Sequence, residues 1–374
     1  MLITHMRPRN FLSFGPDNPG LDLRPLNVLI GPNASGKSNL IEAISFMRAA
    51  PKEIRDVTSR GGGASEWIWK GNPQGASEVE WRLSIRDTRH RIVFASRNQA
   101  FMIEEEHLEQ PGFVYRYEHG HASVVTDKGR RNLDLDGLRD RSILAQMLHD
   151  PETYLELFGT SETYKHIRIY REWSFGRSAS LRQPQAADSR NDFLAEDFSN
   201  LAIFLSNLRT RFPAAKREIL KGLQDLYEGL TDFEVLVTGG TVQVYFVEGD
   251  YSIPAARLSD GTLRYLCLLA ILCDPEPPPL ICIEEPELGL HPDILPNLAD
   301  LLREASTRTQ LIVTTHSDVL VDCMTETPES VVVCSKNEGQ TTMERLNADN
   351  LSPWLDKYRL GQLWIEGEIG GTRW

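Results

Sequence analysis

Eight residues near the start of the chain, Gly31-Pro32-Asn33-Ala34-Ser35-Gly36-Lys37-Ser38, have the spacing of a loop that closes around phosphate. Gly31 and Gly36 let successive backbone N–H groups turn toward phosphate oxygens, at a helix N-terminus that is already partly positive. Lys37 supplies a charge to β- and γ-phosphates, and Ser38 supplies a hydroxyl for Mg²⁺. Far downstream, the apolar run Leu280-Ile281-Cys282-Ile283 ends in Glu284-Glu285. Adjacent residues at a strand end point to opposite faces, so one carboxylate can reach a metal shell while its neighbour orients an attacking water. A second apolar run ends in Thr314-Thr315-His316-Ser317, where the imidazole can donate to a γ-phosphate. Leu258-Ser259-Asp260-Gly261-Thr262 opens an apolar helix whose free N–H groups and Ser259 hydroxyl form another anion site. The bland readings are an acidic strand end, a structural histidine and an ordinary Ser/Asp helix cap. Behind a phosphate loop, the functional reading is preferred for the carboxylates and the histidine.

These groups need elements to hold them. Leu26 to Ile30 is a short apolar run that suits a buried parallel strand, and Leu40, Ile41, Ile44 and Met47 then recur at helical spacing until Pro51. Residues 51–76, rich in Gly, Pro and polar side chains, read as an excursion. Val79–Ile85, Arg91–Phe94 and Phe113–Tyr117 alternate like antiparallel strands with one wet face, and Leu138 to Leu230 turns helical with a polar interruption at 176–192. Strand pattern returns at Phe233–Val237 and Thr241–Val247, and an α/β rhythm resumes at Leu280–Ile283, Ile294–Leu302, Gln310–Thr314 and Ser330–Cys334. The expected division is a lobe over 1–137 with the phosphate loop and antiparallel strands, a mainly helical region over 138–235, and a second α/β lobe over 236–374. No internal repeat and no heptad array of coiled-coil length is present.

The composition is that of a globular chain of 374 residues, 41% hydrophobic and 25% charged. No apolar run approaches the roughly 18 residues of a membrane span, and the first nine residues, with His5, Arg7 and Arg9, do not read as a signal peptide. A cytoplasmic setting is expected. The five cysteines lie in apolar segments without metal-ligand spacing, as buried reduced thiols do. A net charge of −13 argues against wholesale neutralisation of duplex DNA. DNA contact would fall to local basic clusters: Arg86, Arg89 and Arg91; Lys128, Arg130 and Arg131; or Arg168, Arg171, Arg177 and Arg182.

Taken together, the motifs resemble the ABC ATPases, and more narrowly the RecF/SMC/Rad50-like group and the compact prokaryotic "AAA family ATPase" proteins related to the OLD group. The matching residues are Asn10-Phe11-Leu12-Ser13-Phe14, the 31–38 loop, Leu258–Thr262 as the signature, Ile283-Glu284-Glu285-Pro286-Glu287 as Walker B, Leu290-His291-Pro292 as the D-loop, and Thr314–Ser317 as the H-loop. The resemblance covers the first 50 and last 120 or so residues well, and the middle loosely. It implies an α/β ATPase head with an antiparallel lobe and a helical insertion. It also implies ATP held by Asn33, Ala34, Ser35, Gly36, Lys37, Ser38 and Asn39, with Mg²⁺ bound through Ser38 and Glu284. Glu285 would polarise water, with His316 and Lys37 acting on the γ-phosphate. Ser259 and Gly261 would reach nucleotide held by a second copy, in a head-to-tail homodimer enclosing two ATP molecules. Three departures stand out: Glu284 replaces the common Asp, Asp260 replaces a signature glycine, and Gln146 is chosen over Gln99 and Gln110 as the metal-side glutamine.

The expected function is a nucleotide-gated switch in DNA repair or anti-phage defence, working with a separate effector or nuclease subunit and without a membrane. The alternatives are the nucleotide-binding subunit of a membrane transporter and a scaffold that binds ATP without useful hydrolysis. The long middle region and the Glu-Glu-Pro-Glu and Leu-His-Pro sequences fit a transporter subunit poorly.

Overall fold

The computed structural model describes residues 1–133, 139–146, 154–188 and 191–370, and the expected boundary at residues 137 and 138 lies outside them. The chain divides into two compact units, Met1–Ile167 with Glu329–Leu351 and Leu363–Trp374, and Arg168–Pro328 with Ser352–Gln362.

In the first unit, among the described residues, eight strands form an antiparallel sheet. Its order is Leu21–Asp22, Ile3–Arg9, Ser77–Leu83, Thr88–Arg97, Ala100–Gln110, Phe113–Glu118, His121–Thr126 and Gly129–Leu133. The strand Leu26–Ile30 is buried along its whole length, as a strand covered on both faces requires. It pairs in parallel with Val331–Asn337, which turns back antiparallel into Gln340–Arg345. The helix Lys37–Ala49 follows it. Phe46 on that helix stacks on Phe94 of the antiparallel sheet at 5.1 Å between ring centroids, and Phe11 meets both rings edge-on. This aromatic cluster ties the far end of the helix that follows the loop to a rigid sheet.

In the second unit, Arg168–Tyr170, Leu280–Glu284 and Gln310–Thr314 run parallel, with Ile169 opposite Cys282 and Ile283 opposite Val313. Both candidate chemical ends, Glu284 and Thr314, therefore finish level on neighbouring strands. The helix Asp260–Leu272 is buried from Thr262 through Leu272. It lies close to the helix Pro213–Leu226, since a Cβ on Gly222 would come within 2.6 Å of Leu269. Asp232–Thr238 and Thr241–Glu248 form a hairpin across Gly239-Gly240, flanked by Gln185–Ala186 and Tyr251–Pro254. Among the described residues the longest helix has 14 residues, so none makes a long coiled coil.

Candidate functional site

The 31–38 turn is held in the conformation its glycines allow. Gly31 and Gly36 have φ of 142° and 99°, and a Cβ on Gly36 would lie 2.1 Å from Thr341 Oγ1. Ala34, at φ 62°, takes a left-handed conformation that costs a non-glycine residue about 1–2 kcal/mol. The helix starting at Lys37 has no side-chain cap, and its N-terminal turn follows the loop directly. Lys37 is buried, and its ammonium donates to the carbonyls of Gly31 (2.8 Å) and Pro32 (3.0 Å). Ser35 Oγ is buried with no hydrogen-bond partner among the described residues. The orphaned hydroxyl and the positive end of the helix suit phosphate oxygens. A brace lies behind the loop: Thr341 Oγ1 is 2.6 Å from Ser13 Oγ and 2.9 Å from the Ser35 carbonyl, and Asn39 donates its side-chain amide to Ser13 at 2.7 Å. Asn39 thus steadies the loop from outside it, joined by Ser13 of the Asn10–Phe14 motif and by Thr341, which no local motif announces.

The carboxylates stand on a constrained turn. Glu285 has φ 47°, an uncommon conformation for a bulky residue. Its N–H donates to the Thr314 carbonyl at 3.0 Å. Its Oε1 lies 3.6 Å from His316 Nε2, and both side chains are part-exposed. Glu287, a residue to which the motif reading assigned no role, is half-buried. Its Oε1 accepts from the Thr315 hydroxyl at 2.7 Å and from the His316 N–H at 2.8 Å. Burial pushes the Glu287 carboxyl above the usual carboxylate range, against the downward pull of those donors. Glu287 therefore orients the histidine turn through its backbone.

The signature residues surround an open cleft of about 280 Å³ lined by Leu226, Ser259, Gly261, Thr262, Gly289, Leu290 and His291. Ser259 Oγ accepts from the Thr262 N–H at 3.1 Å, the ordinary capping geometry. A Cβ on Gly261 would lie 2.7 Å from the Gly289 carbonyl, so only glycine permits this approach of the D-loop turn. The acid at Asp260 is accounted for: it is paired with Arg182.

Two expectations change. Gln146 sits in the short helix Ile143–Gln146, donates its amide to the Arg141 carbonyl at 2.9 Å, and lines a small cavity with Glu106 and Tyr115 of the antiparallel sheet. The segment that leaves the strand beside Leu280–Glu284 carries Trp173 instead. Arg89 and Arg91 do not form a bare basic face, because Glu80 holds Arg89 at 2.9 Å and Glu78 and Glu105 hold Arg91 at 2.9 and 2.7 Å. The cysteines are as expected, free and mostly buried, with burial pushing the Cys273 and Cys334 thiols up to about 12.

Residues 26–322 match the family model described as "AAA domain, putative AbiEii toxin, Type IV TA system". A stretch of 136 residues, 36% of this chain, is 26% identical to the DNA double-strand break repair Rad50 ATPase of Thermoplasma volcanium, and spans only 14% of that protein. Over 94% of its length the chain follows an Smc head crystallised with the C-winged helix domain of ScpA, covering 100% of that chain with a TM-score of 0.58 and 16% identity. Over 96% it follows an Smc head with an extended coiled coil bound to the C-terminal domain of ScpA, derived from Pyrococcus furiosus, covering 99% of that chain with a TM-score of 0.54 and 15% identity. At such identities the Smc likenesses establish the fold, a P-loop ATPase head. The chain belongs to the AAA-domain family of that description, whose model matches most of its length.

Proposed function

We propose that the protein binds ATP with Mg²⁺ and hydrolyses it, and that ATP closes two copies head to tail. The observation that carries this reading is the pairing of Glu285 with His316 on neighbouring strand ends, with Glu287 fixing the histidine turn. In this reading Asn33 to Ser38 hold the phosphates, and Asn39 braces the loop. Ser38 and Glu284 would hold Mg²⁺, which would supply positive charge against that developing on the phosphates. Glu285 accepts a proton from the attacking water, and His316 donates to the γ-phosphate. Ser259 and Gly261 would face the nucleotide of the second copy, across the cleft that they line. Gln146 is left out of the metal set because its side chain is anchored beside the antiparallel sheet.

We further propose a role in DNA maintenance or anti-phage defence with a separate effector or nuclease subunit. The repair function in the name of the Rad50 relative supports the first setting, and the toxin system in the family description supports the second. No helix among the described residues is long and apolar enough to cross a membrane. The test is sedimentation of Glu285→Gln with and without ATP and Mg²⁺. A dimer that forms with ATP and persists is expected, and a monomer at saturating ATP would remove the dimer from the proposal.

A further inference from the structure

Two hydrogen bonds fix the peptide group that joins Glu284 to Glu285. Its carbonyl accepts from the Trp173 indole N–H at 2.8 Å, and its N–H donates to the Thr314 carbonyl at 3.0 Å. The next peptide is held as well, because Arg264 Nη2 donates to the Glu285 carbonyl at 2.8 Å. With the peptides on both sides pinned, the backbone of Glu285 has no freedom to leave its φ of 47°. The two donors also support each other, since the Arg264 guanidinium lies 4.4 Å over the Trp173 ring. Trp173 is stacked in turn on Phe198 at 5.4 Å and on Phe175 at 6.1 Å. Arg264 is buried one turn into the helix that Ser259 caps. Further along the strand-leaving segment, Arg182 is buried, pairs with Asp260, and donates to the carbonyls of Phe175 (2.7 Å) and Leu258 (2.7 Å). One short stretch, Trp173 to Arg182, therefore grips both the carboxylate turn and the start of the signature helix.

We propose that Trp173 and Arg264 are positioning residues that hold the left-handed backbone of Glu285, so that the signature helix sets the aim of that carboxylate. Neither touches the reacting atoms. A shift of the helix start would move the Arg264 guanidinium, and with it the Glu285 carbonyl. This inference rests on the proposed ATP hydrolysis and adds the element that controls it.

The experiment compares steady-state ATP turnover of the full chain with that of Trp173→Phe, Arg264→Met and Arg264→Lys, with thermal melting on the same samples. Trp173→Phe keeps an aromatic ring for the stack and removes the N–H together with the five-membered ring; Arg264→Lys keeps a donor without the planar fork. The expected result is a fall in kcat of about tenfold or more for Trp173→Phe and Arg264→Met with KM for ATP within about twofold, and partial recovery in Arg264→Lys. A purely structural role would lower the melting temperature and the active fraction, and kcat corrected for the fraction that binds ATP would stay at the wild-type value. If Arg264→Met does not fold, Trp173→Phe and Arg264→Lys decide the matter. Unchanged kcat in the folded variants, beside an active wild type, overturns the positioning inference alone, whereas a wild type that neither binds nor turns over ATP overturns the proposed function itself.

Discussion

Two glutamates with buried carboxylate oxygens are treated in opposite ways. Glu80, in the antiparallel sheet, has more partners than it needs: Arg89 donates to both oxygens at 2.9 and 3.0 Å, and Arg7 donates at 2.5 Å. Burial alone would raise its pKa, but the three nearby arginines outweigh burial and the carboxyl is held below the usual range. Glu287, on the carboxylate turn, has too few partners. One oxygen serves Thr315 and His316, the other is buried with no partner among the described residues, and its pKa is raised. The excess marks scaffolding, a sheet face stitched by cross-strand ion pairs. The deficit, beside a left-handed Glu285, marks a place built for something other than its own stability.

The sharpest way to break that contrast is to disable one residue of each kind. Lys37→Ala should lower ATP turnover by about a hundredfold or more, while Glu80→Gln should leave it within about twofold, measured by phosphate release. A turnover loss in Glu80→Gln at an unchanged melting temperature would dissolve the distinction.

The pH dependence of stability gives the next contrast. The lowered pKa of Glu80 stabilises the fold above the unfolded carboxylate range, and that contribution is lost as pH falls through the folded value. Glu80→Gln should therefore lose about 1–3 kcal/mol near neutral pH, with the difference shrinking in acid. Glu287 has the opposite sign: its contribution is complete at low pH and lost as pH rises through its elevated value. Glu287→Gln should match wild type in acid and gain on it as pH rises, as read by denaturant midpoints. Two slopes of the same sign would mean that the environments are not opposed.

A smaller effect belongs to Asp260. It is largely exposed, while its partner Arg182 is bound mainly to backbone carbonyls. Asp260→Asn should shift stability by no more than about 0.5 kcal/mol, and a larger loss would make the pair part of the scaffold.

Sequence alone placed what is local. The phosphate loop between Leu26–Ile30 and its helix, the Gln310–Thr314 strand and the hairpin across Gly239-Gly240 were all legible, because burial on both faces, helical spacing and paired glycines leave direct marks. The acidic run within Ala100–Gln110 concealed an 11-residue strand, since its glutamates are matched by arginines on the neighbouring strand, which a single segment cannot display. Arg168–Tyr170 was too short to show a period and fell inside a stretch that reads as helical. Missing that strand hid Trp173, and with it the link between Glu284 and Arg264. For the same reason a glutamine was sought at 146, where the surroundings are those of the antiparallel sheet. Ser13 and Thr341 brace the loop across 328 residues of sequence, a distance over which no spacing rule operates.

The role assigned to Glu285 is tested most directly by the turnover of Glu285→Gln against wild type, with ATP affinity measured on the same preparations. A fall in kcat of about two to three orders of magnitude at unchanged affinity is the predicted result. Hydrolysis at the wild-type rate would contradict it, and would leave the strained turn at Glu285 without a purpose.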